Sequence, residues 1–112
     1  MSIDIQILGA TARITIADSF DSSSYMPFKQ AHTPLIASVA VQVIEVDVCG
    51  LQYLDSSALG MLIQLNERAK EAKKSIALVS VPGRVADIMK VANADKLFTI
   101  NLPSGMKLNL RS

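Results

Sequence analysis

The stretch LQYLDSSALGMLIQLNERAK, residues 51–70, indicates the point at which a strand gives way to a helix. Asp55, Ser56 and Ser57 are polar, whereas most of their neighbours are apolar. Beyond them, apolar residues recur every three or four positions, which is the period of an amphipathic helix. Those positions are Ala58, Leu62, Leu65, Ala69 and Ala72. We therefore predict a helix over 56–73 that begins at Asp55, since an aspartate can cap the free amides of a first helical turn.

The strands are predicted from two kinds of pattern. Residues 3–8 and 12–16 alternate apolar and polar side chains across a short turn that contains glycine, which indicates an antiparallel hairpin. Residues 41–48 and 75–81 are closer to continuous apolar runs, which are typical of central strands covered on both faces. A short last strand is predicted over 97–102.

Two further helices are predicted. The apolar stripe Val85, Ile88, Met89 and Ala92 indicates a helix that starts at Pro82 and stops near Asn93. The segment 22–38 has apolar residues on one helical face, but Pro27 and Pro34 interrupt it, so we expect a short or kinked helix there. The tail 103–112 is compatible with a strand or with a loose end.

Strands and helices in this order predict an α/β fold with a mixed sheet, in which an N-terminal antiparallel hairpin is followed by strands joined through helices packed against the sheet. The chain has 112 residues, half of them apolar, which is enough for one core. We expect residues 1–112 to form a single domain.

Composition argues against several classes of protein. The net charge of +1 gives no general attraction to nucleic acid. No segment approaches the roughly 20 apolar residues of a membrane span, and the first residues do not resemble a signal peptide, so we expect a cytoplasmic protein without membrane insertion. The single cysteine, Cys49, lies in an apolar strand-like segment, and we expect it to be a buried small apolar residue.

In a sheet of this kind, functional groups collect in the loops beyond the carboxyl ends of the parallel strands. Asp55, Ser56 and Ser57 fall in such a place, directly after the 41–48 strand and its loop. The motif alone is also explained by helix capping without any further role.

The same block carries a family resemblance. The segment YLDSSALGMLIQLNERAK resembles the signature of the STAS-domain anti-sigma-factor antagonists, in which an Asp-Ser-Ser-Gly/Ala-Leu-Gly segment opens the second helix. ITIADSFD and VIEVDV resemble the second and third strands of that family, and LVSVPGRVADIMKVANADKLFTI resembles its fourth strand, third helix and closing strand. The resemblance covers most of residues 3–102 and implies a STAS-like fold.

The resemblance also implies roles for individual residues. Ser56 corresponds to the family's phosphorylated serine, Asp55 and Asp21 to acids that flank it, and Ser57 to a residue that turns inward and forms a hydrogen bond. Asp21, Asp55, Ser56, Ser57 and Ala58 are the expected partner-binding residues. The expected partners are an anti-sigma factor or serine kinase, which binds the unphosphorylated form, and a serine phosphatase. The chain itself is expected to be no enzyme and to use no cofactor or metal.

Two alternatives from other classes stay open. The first is a STAS interaction scaffold that is never phosphorylated, within a larger signalling, lipid-handling or transport complex. The second is a receiver-like domain phosphorylated on a carboxylate with Mg²⁺, for which Asp18, Asp21 and Asp55 would be the acids. An enzyme is less favoured, since no phosphate-binding glycine loop is present and His32, expected in a surface loop beside prolines, cannot form a zinc site alone.

Overall fold

The computed structural model of the chain describes residues 1–91 and 99–101. Its strands are β1 (Ser2–Leu8), β2 (Thr11–Phe20), β3 (Val43–Leu54), β4 (Ser75–Val79) and β5 (Thr99–Asn101). Its helices are α1 (Tyr25–Ala37), α2 (Ser56–Glu71) and α3 (Gly83–Val91), and a 3-10 helix, Ser22–Ser24, leads into α1.

The strands form one sheet in the order β1-β2-β3-β4-β5. β1 and β2 are antiparallel, and each later neighbour pair is parallel. The tight turn between β1 and β2 contains Gly9 at φ 62°, a left-handed conformation that glycine adopts without steric cost. The predicted α/β fold with a mixed sheet and an N-terminal hairpin is confirmed. The predicted end of the third helix near Asn93 and the tail 103–112 lie outside the described residues.

One face of the sheet carries the core. Side chains of β2, β3 and β4 that point to this face are buried against apolar residues of all three helices, which is the layered arrangement expected of an α/β domain. The fully buried residues of the sheet include Ile14, Ile16, Ile44, Val46 and Leu78, and those of the helices include Phe28, Leu62, Leu65, Val85 and Met89.

The central strand β3 differs from its prediction in length and in coverage. It continues to Leu54, so no separate loop precedes Asp55. Over 43–48 its side chains alternate between half-buried and buried rather than being buried on both faces, and beyond Val48 only Leu51 and Leu54 are buried. The reason lies in Glu45 and Asp47, which point to the face opposite the helices, where Glu45 accepts a 2.8 Å hydrogen bond from Arg13.

The prediction that Cys49 is buried is wrong, because the side chain is exposed. The pairing of β3 with β2 shifts register between Asp47 and Gly50, and such a bulge breaks the alternation of inward and outward side chains. A Cβ atom at Gly50 would lie 3.1 Å from the Cβ of Ala17, so the two strands approach closely at a residue without a side chain.

The segment predicted as a short or kinked helix is a helix of 13 residues that continues past Pro34 to Ala37. Phe28, His32 and Leu35 share its buried face. The prediction that His32 lies in a surface loop is wrong, since it is 2% exposed and its ring centroid lies 4.9 Å from that of Phe28. Packing of this apolar face compensates for the backbone hydrogen bond that Pro34 cannot donate.

None of the helices in the described part of the chain is long and apolar enough to cross a membrane.

Candidate functional site

Two aspartates lie side by side where neighbouring parallel strands end. Phe20, the last residue of β2, pairs with Leu54, the last residue of β3. Asp21 and Asp55 follow them directly, and the amide of Asp55 donates to the carbonyl of Phe20 at 3.3 Å. The two predicted acids therefore occupy the same edge of the sheet, where each begins a helical segment.

Asp55 caps α2, as predicted. Its backbone is extended, and its Oδ1 accepts a 2.9 Å hydrogen bond from the amide of Ala58. Such a cap contributes about 1 kcal/mol to stability. Ala58 itself is fully buried, so its side chain cannot contact a partner that docks on this surface, and its part in the site is limited to the amide held by Asp55.

Asp21 caps the 3-10 helix through the second residue after it, whereas Asp55 caps α2 through the third. Its Oδ1 accepts hydrogen bonds from the amide of Ser23 at 3.0 Å and from the Ser23 hydroxyl at 2.6 Å. Its own amide donates to the Oγ of Ser24 at 3.2 Å. The hydrogen bonds from Ser23 lower the pKa of the Asp21 carboxyl, because they stabilise its charged form.

The two serines that follow Asp55 are both exposed. The expectation that Ser57 turns inward is wrong, since within the described residues its hydroxyl has no hydrogen-bond partner and its side chain faces solvent. The inward positions of the first turns are taken by Ala58, Leu59 and Leu62, because the helix repeats its faces every three or four residues. The same part of the structure shows no acceptor for the amides of Ser56 and Ser57, which is usual for a first helical turn.

An open groove with a volume of about 420 Å³ runs between the start of α1 and the first half of α2. Its lining consists of Ser22, Tyr25, Ser57, Gly60, Met61 and Gln64. Among residues 1–91 and 99–101, a Cβ atom at Gly60 would meet nothing within 4 Å, so glycine at this position leaves the groove wider without serving a contact in that part of the chain.

Most of these groove residues were not predicted from the sequence. The usable signal was the spacing of Ser57, Gly60, Met61 and Gln64, which share one face of α2. The sequence held no comparable signal for Ser22 and Tyr25, since they reach the groove only through the packing of α1 beside α2.

The family model described as Mlab, STAS domain matches residues 3–102 of the chain. The chain belongs to the STAS-domain family. A STAS-domain-containing protein of Pseudomonas aeruginosa strain UCBPP-PA14 is 31% identical over 93 residues, which cover 83% of this chain and 90% of that protein. The resemblance inferred from the Asp-Ser-Ser segment is thereby confirmed.

Solved structures show the same fold in anti-sigma-factor antagonists. The antagonist of Mycobacterium paratuberculosis superposes on this STAS domain with a TM-score of 0.80 at 14% identity, covering 92% of this chain and 86% of that one. The unphosphorylated antagonist SpoIIAA superposes with a TM-score of 0.71 at 12% identity, covering 92% and 89% of the two chains. SpoIIAA, a Bacillus cell fate determinant, is also solved in its phosphorylated form, with a TM-score of 0.70 at 13% identity and coverage of 88% and 90%.

The acids proposed for a receiver-like site do not gather in this STAS domain. Within residues 1–91 and 99–101, no three aspartate, glutamate, histidine or cysteine side chains come together as a possible metal site. Asp18 instead lies on β2 at φ 70°, beside a register shift, and is exposed.

His32 joins the two helices that flank the groove. Arg68 of α2 approaches His32 Nε2 with its Nη1 atom at 3.4 Å, so the arginine is the donor and the ring is neutral. Burial, with a smaller contribution from Arg68, lowers the pKa of His32 to about 4. The histidine is thus a structural contact behind the groove.

Proposed function

We propose that this STAS domain is a partner-switching regulator, which binds an anti-sigma factor with serine kinase activity while Ser56 is unmodified and releases it once Ser56 is phosphorylated. The observation that carries the proposal is the place of Ser56. It is the exposed first residue of α2, directly after the Asp55 cap, at the edge of the sheet where a groove opens. The fold shared with antagonists, one of them solved with and without its phosphate, supports it.

In this mechanism the STAS domain is the substrate and catalyses nothing. The kinase transfers the γ-phosphoryl group of ATP to Ser56 Oγ and releases ADP, and a serine phosphatase hydrolyses the phosphoserine. The cytoplasm, where ATP is available, is the location that this proposal requires.

The local electrostatics explain how one phosphate changes binding. A phosphoserine adds about −1.5 to −2 charges at neutral pH. Asp21 and Asp55 already supply two carboxylates at this edge, and the hydrogen bonds from Ser23 favour the charged form of Asp21. The kinase brings the negatively charged phosphates of its bound nucleotide to Ser56. After phosphorylation these phosphates face roughly twice the negative charge at this edge, and repulsion weakens the complex.

The phosphate can also be accommodated without refolding. The amides of Ser56 and Ser57 lie at the positive end of the α2 dipole and are without an acceptor in the described structure. The switch therefore acts on the surface charge and leaves the core unchanged.

Binding to a serine kinase of the anti-sigma type, purified from the same cells, tests the proposal. Ser56→Ala is expected to bind as tightly as the wild type, whereas Ser56→Asp binds at least about tenfold more weakly, which is about 1.4 kcal/mol. Gln30→Asp is the matched control, because it adds the same charge at an exposed position of α1 that does not line the groove, and it is expected to bind as tightly as the wild type. Equal affinities of Ser56→Asp and Ser56→Ala would contradict the switch.

A non-phosphorylated scaffold is the second candidate. It is supported by the groove itself, whose apolar lining by Tyr25 and Met61 is present without any modification. Intact-mass measurement of the protein from its own cells separates the two: a phosphate on Ser56 supports the switch, and a chain that binds its partner but carries no phosphate in any growth condition supports the scaffold.

A further inference from the structure

The strand β1 lies at one edge of the sheet. It pairs with β2 along its whole length, Ser2–Leu8, without a register shift. Within residues 1–91 and 99–101, no backbone hydrogen bond joins it to any element other than β2. The outer side of β1 therefore presents amides and carbonyls with which another strand can pair.

The sequence of β1 does nothing to prevent such pairing. Edge strands of natural proteins commonly carry a lysine, a proline or a bulge, each of which discourages pairing with another chain. β1 has the sequence SIDIQIL and contains none of these, and its one charged residue is Asp4. Six of its seven residues are exposed. An edge of this length without a protective residue is typical of an interface.

Apolar side chains of β1 extend the core layer to this edge. Ile5 lies opposite Ile14 in the antiparallel pair, and Ile14 is fully buried. Ile7 lies opposite Ala12, which is also fully buried. Opposite residues of an antiparallel pair point to the same face, so Ile5 and Ile7 point to the face that the helices cover. They are nevertheless 39% and 54% exposed, since β1 has a neighbouring strand on one side only.

The pattern of β1 is complementary to a second copy of itself. When two copies run antiparallel with Ile5 opposite Ile5, all seven residues of each strand find a partner. Ile3 then lies opposite Ile7, and Asp4 lies opposite Gln6. The isoleucines meet on the face that the helices cover, and like charges, which would be destabilising, are not directly opposite each other.

The charges on the open face favour the same register. Gln6 pairs with Arg13 of β2, and Arg13 pairs with Glu45 of β3. In the joined sheet, Asp4 of the second copy lies beyond Gln6, two strand spacings or about 10 Å from Arg13. A pairing centred on Asp4 would instead place two carboxylates directly opposite each other. Charge therefore favours the register centred on Ile5.

We propose that the β1 edge is a homodimer interface, at which β1 of a second copy of this chain pairs antiparallel with Ile5 opposite Ile5 and joins the two sheets into one. The same patch meets itself across a two-fold axis, which is the commonest arrangement of homo-oligomers. No residue of β1 lines the groove between α1 and α2, and antiparallel pairing places the two grooves at opposite ends of the joined sheet. Both grooves stay open, and the dimer does not depend on the proposed function.

Sedimentation velocity of the full chain tests the dimer. The wild type is expected to move from the monomer mass toward twice that mass as its concentration rises over about a hundredfold range, up to about 1 mM. Ile5→Lys is expected to weaken the association at least tenfold, since it places two ammonium groups opposite each other at the axis. Ile88→Lys is the matched control, because Ile88 is 37% exposed but lies on α3, and it is expected to dimerise as the wild type does.

Three results of this experiment overturn the proposal. The first is a wild type that sediments as a monomer throughout. The second is an Ile5→Lys protein that dimerises as tightly as the wild type. The third is an equal loss of association in Ile5→Lys and Ile88→Lys.

Disulfide cross-linking tests the register without adding a charge. In a Cys49→Ser background, Ile5→Cys places two thiols directly opposite each other, with Cβ atoms about 4.5–5.5 Å apart, close to disulfide geometry. Oxidised glutathione is expected to convert this protein to a covalent dimer. Ile7→Cys is the matched control, because its two thiols lie four residues apart along the paired strands, about 13 Å, and do not cross-link.

Cross-linking of Ile7→Cys as efficient as that of Ile5→Cys overturns the register. An Ile5→Cys protein that stays monomeric after oxidation overturns the interface. Neither result bears on the phosphorylation of Ser56, so the proposed function stands or fails separately.

Discussion

The helices α1 and α2 begin at neighbouring strand ends and form the two walls of one groove, yet they are held in different ways. α2 has an aspartate cap, an apolar stripe toward the core, and Arg68 and Lys70 in its last turn, where the helix dipole favours cations. α1 contains Pro34 and has no basic residue in its last turn, and the side chain of its own N-cap, Ser24, makes no capping hydrogen bond.

In α1, contacts with residues distant in sequence provide the stabilisation that α2 obtains from its cap, its apolar stripe and its terminal cations. Phe28 packs on Phe20 of β2 with ring centroids 5.1 Å apart, and His32 meets Arg68 of α2. Beyond the end of the helix, Lys74 Nζ donates to the carbonyls of Ser38 and Val41, at 2.6 Å each. The helix α2 therefore depends mainly on its local sequence, whereas α1 depends on contacts with the rest of the fold. Variants of the two helices should accordingly differ in their effect on stability.

The largest effect is expected from Phe28→Ala. Phe28 is 1% exposed between Phe20 and His32, and removing its ring leaves a cavity, which is expected to lower the free energy of unfolding by about 3–5 kcal/mol. Urea denaturation measures the loss. Tyr25→Ala is the matched aromatic control on the same helix, because Tyr25 is 40% exposed and its loss should cost less than about 1 kcal/mol. Similar losses for the two variants would show that α1 does not depend on its buried face.

The buried His32 predicts a dependence of stability on pH. Its folded pKa is about 4, below the ordinary value of 6.5, so the unfolded chain binds the proton more readily. The contribution of the neutral ring is complete above pH 6.5 and is lost as the pH falls toward 4, by up to about 3 kcal/mol.

Urea denaturation of the wild type and of His32→Leu, at intervals from pH 7 to pH 4, isolates this contribution. His32 is the only histidine in the chain, so the difference between the two proteins removes the contribution of the carboxylates. Parallel pH profiles would show that His32 titrates normally in the folded state.

Lys74→Met tests the connection at the other end of α1. The variant keeps most of the apolar stem but removes two hydrogen bonds from a charged donor, so we expect a loss of about 1–3 kcal/mol. Lys70→Met, at an exposed position of α2, is the control and should change stability by less than about 0.5 kcal/mol. Equal unfolding midpoints for the two variants would exclude a structural role of Lys74.

The smallest effect is expected in α2, from Gly60→Ala. Alanine is a better helix former than glycine, and its Cβ atom would meet nothing within 4 Å in the described part of the structure, so the variant should be more stable by about 0.5–1 kcal/mol. Gly50→Ala makes the same change where Ala17 Cβ is 3.1 Å away, and it should be destabilising. Thermal unfolding of both variants checks the signs, and a destabilised Gly60→Ala would mean that α2 is more constrained than its surroundings indicate.

The candidate site was predictable in part. Short-range patterns of polarity predicted that Asp55 caps a helix and that Ser56 and Ser57 lie at its start. They did not predict the burial of His32 and the exposure of Cys49, because the first depends on the packing of one helix against another and the second on a register shift. The inward position of Ser57 was implied only by the family resemblance, and the helical period that turns Ala58 and Leu62 inward contradicts it.

By itself, the sequence determined the order of strands and helices, the hairpin, the capped helix α2 and the family resemblance, since each of these depends on residues close together in the chain. The tertiary structure alone decided that Asp21 and Asp55 follow a pair of hydrogen-bonded strand ends, that Ser22 and Ser57 line one groove, and that α1 forms in spite of its prolines. The physical reason is that strand register and side-chain packing depend on contacts between residues far apart in sequence. A local sequence pattern does not predict such contacts.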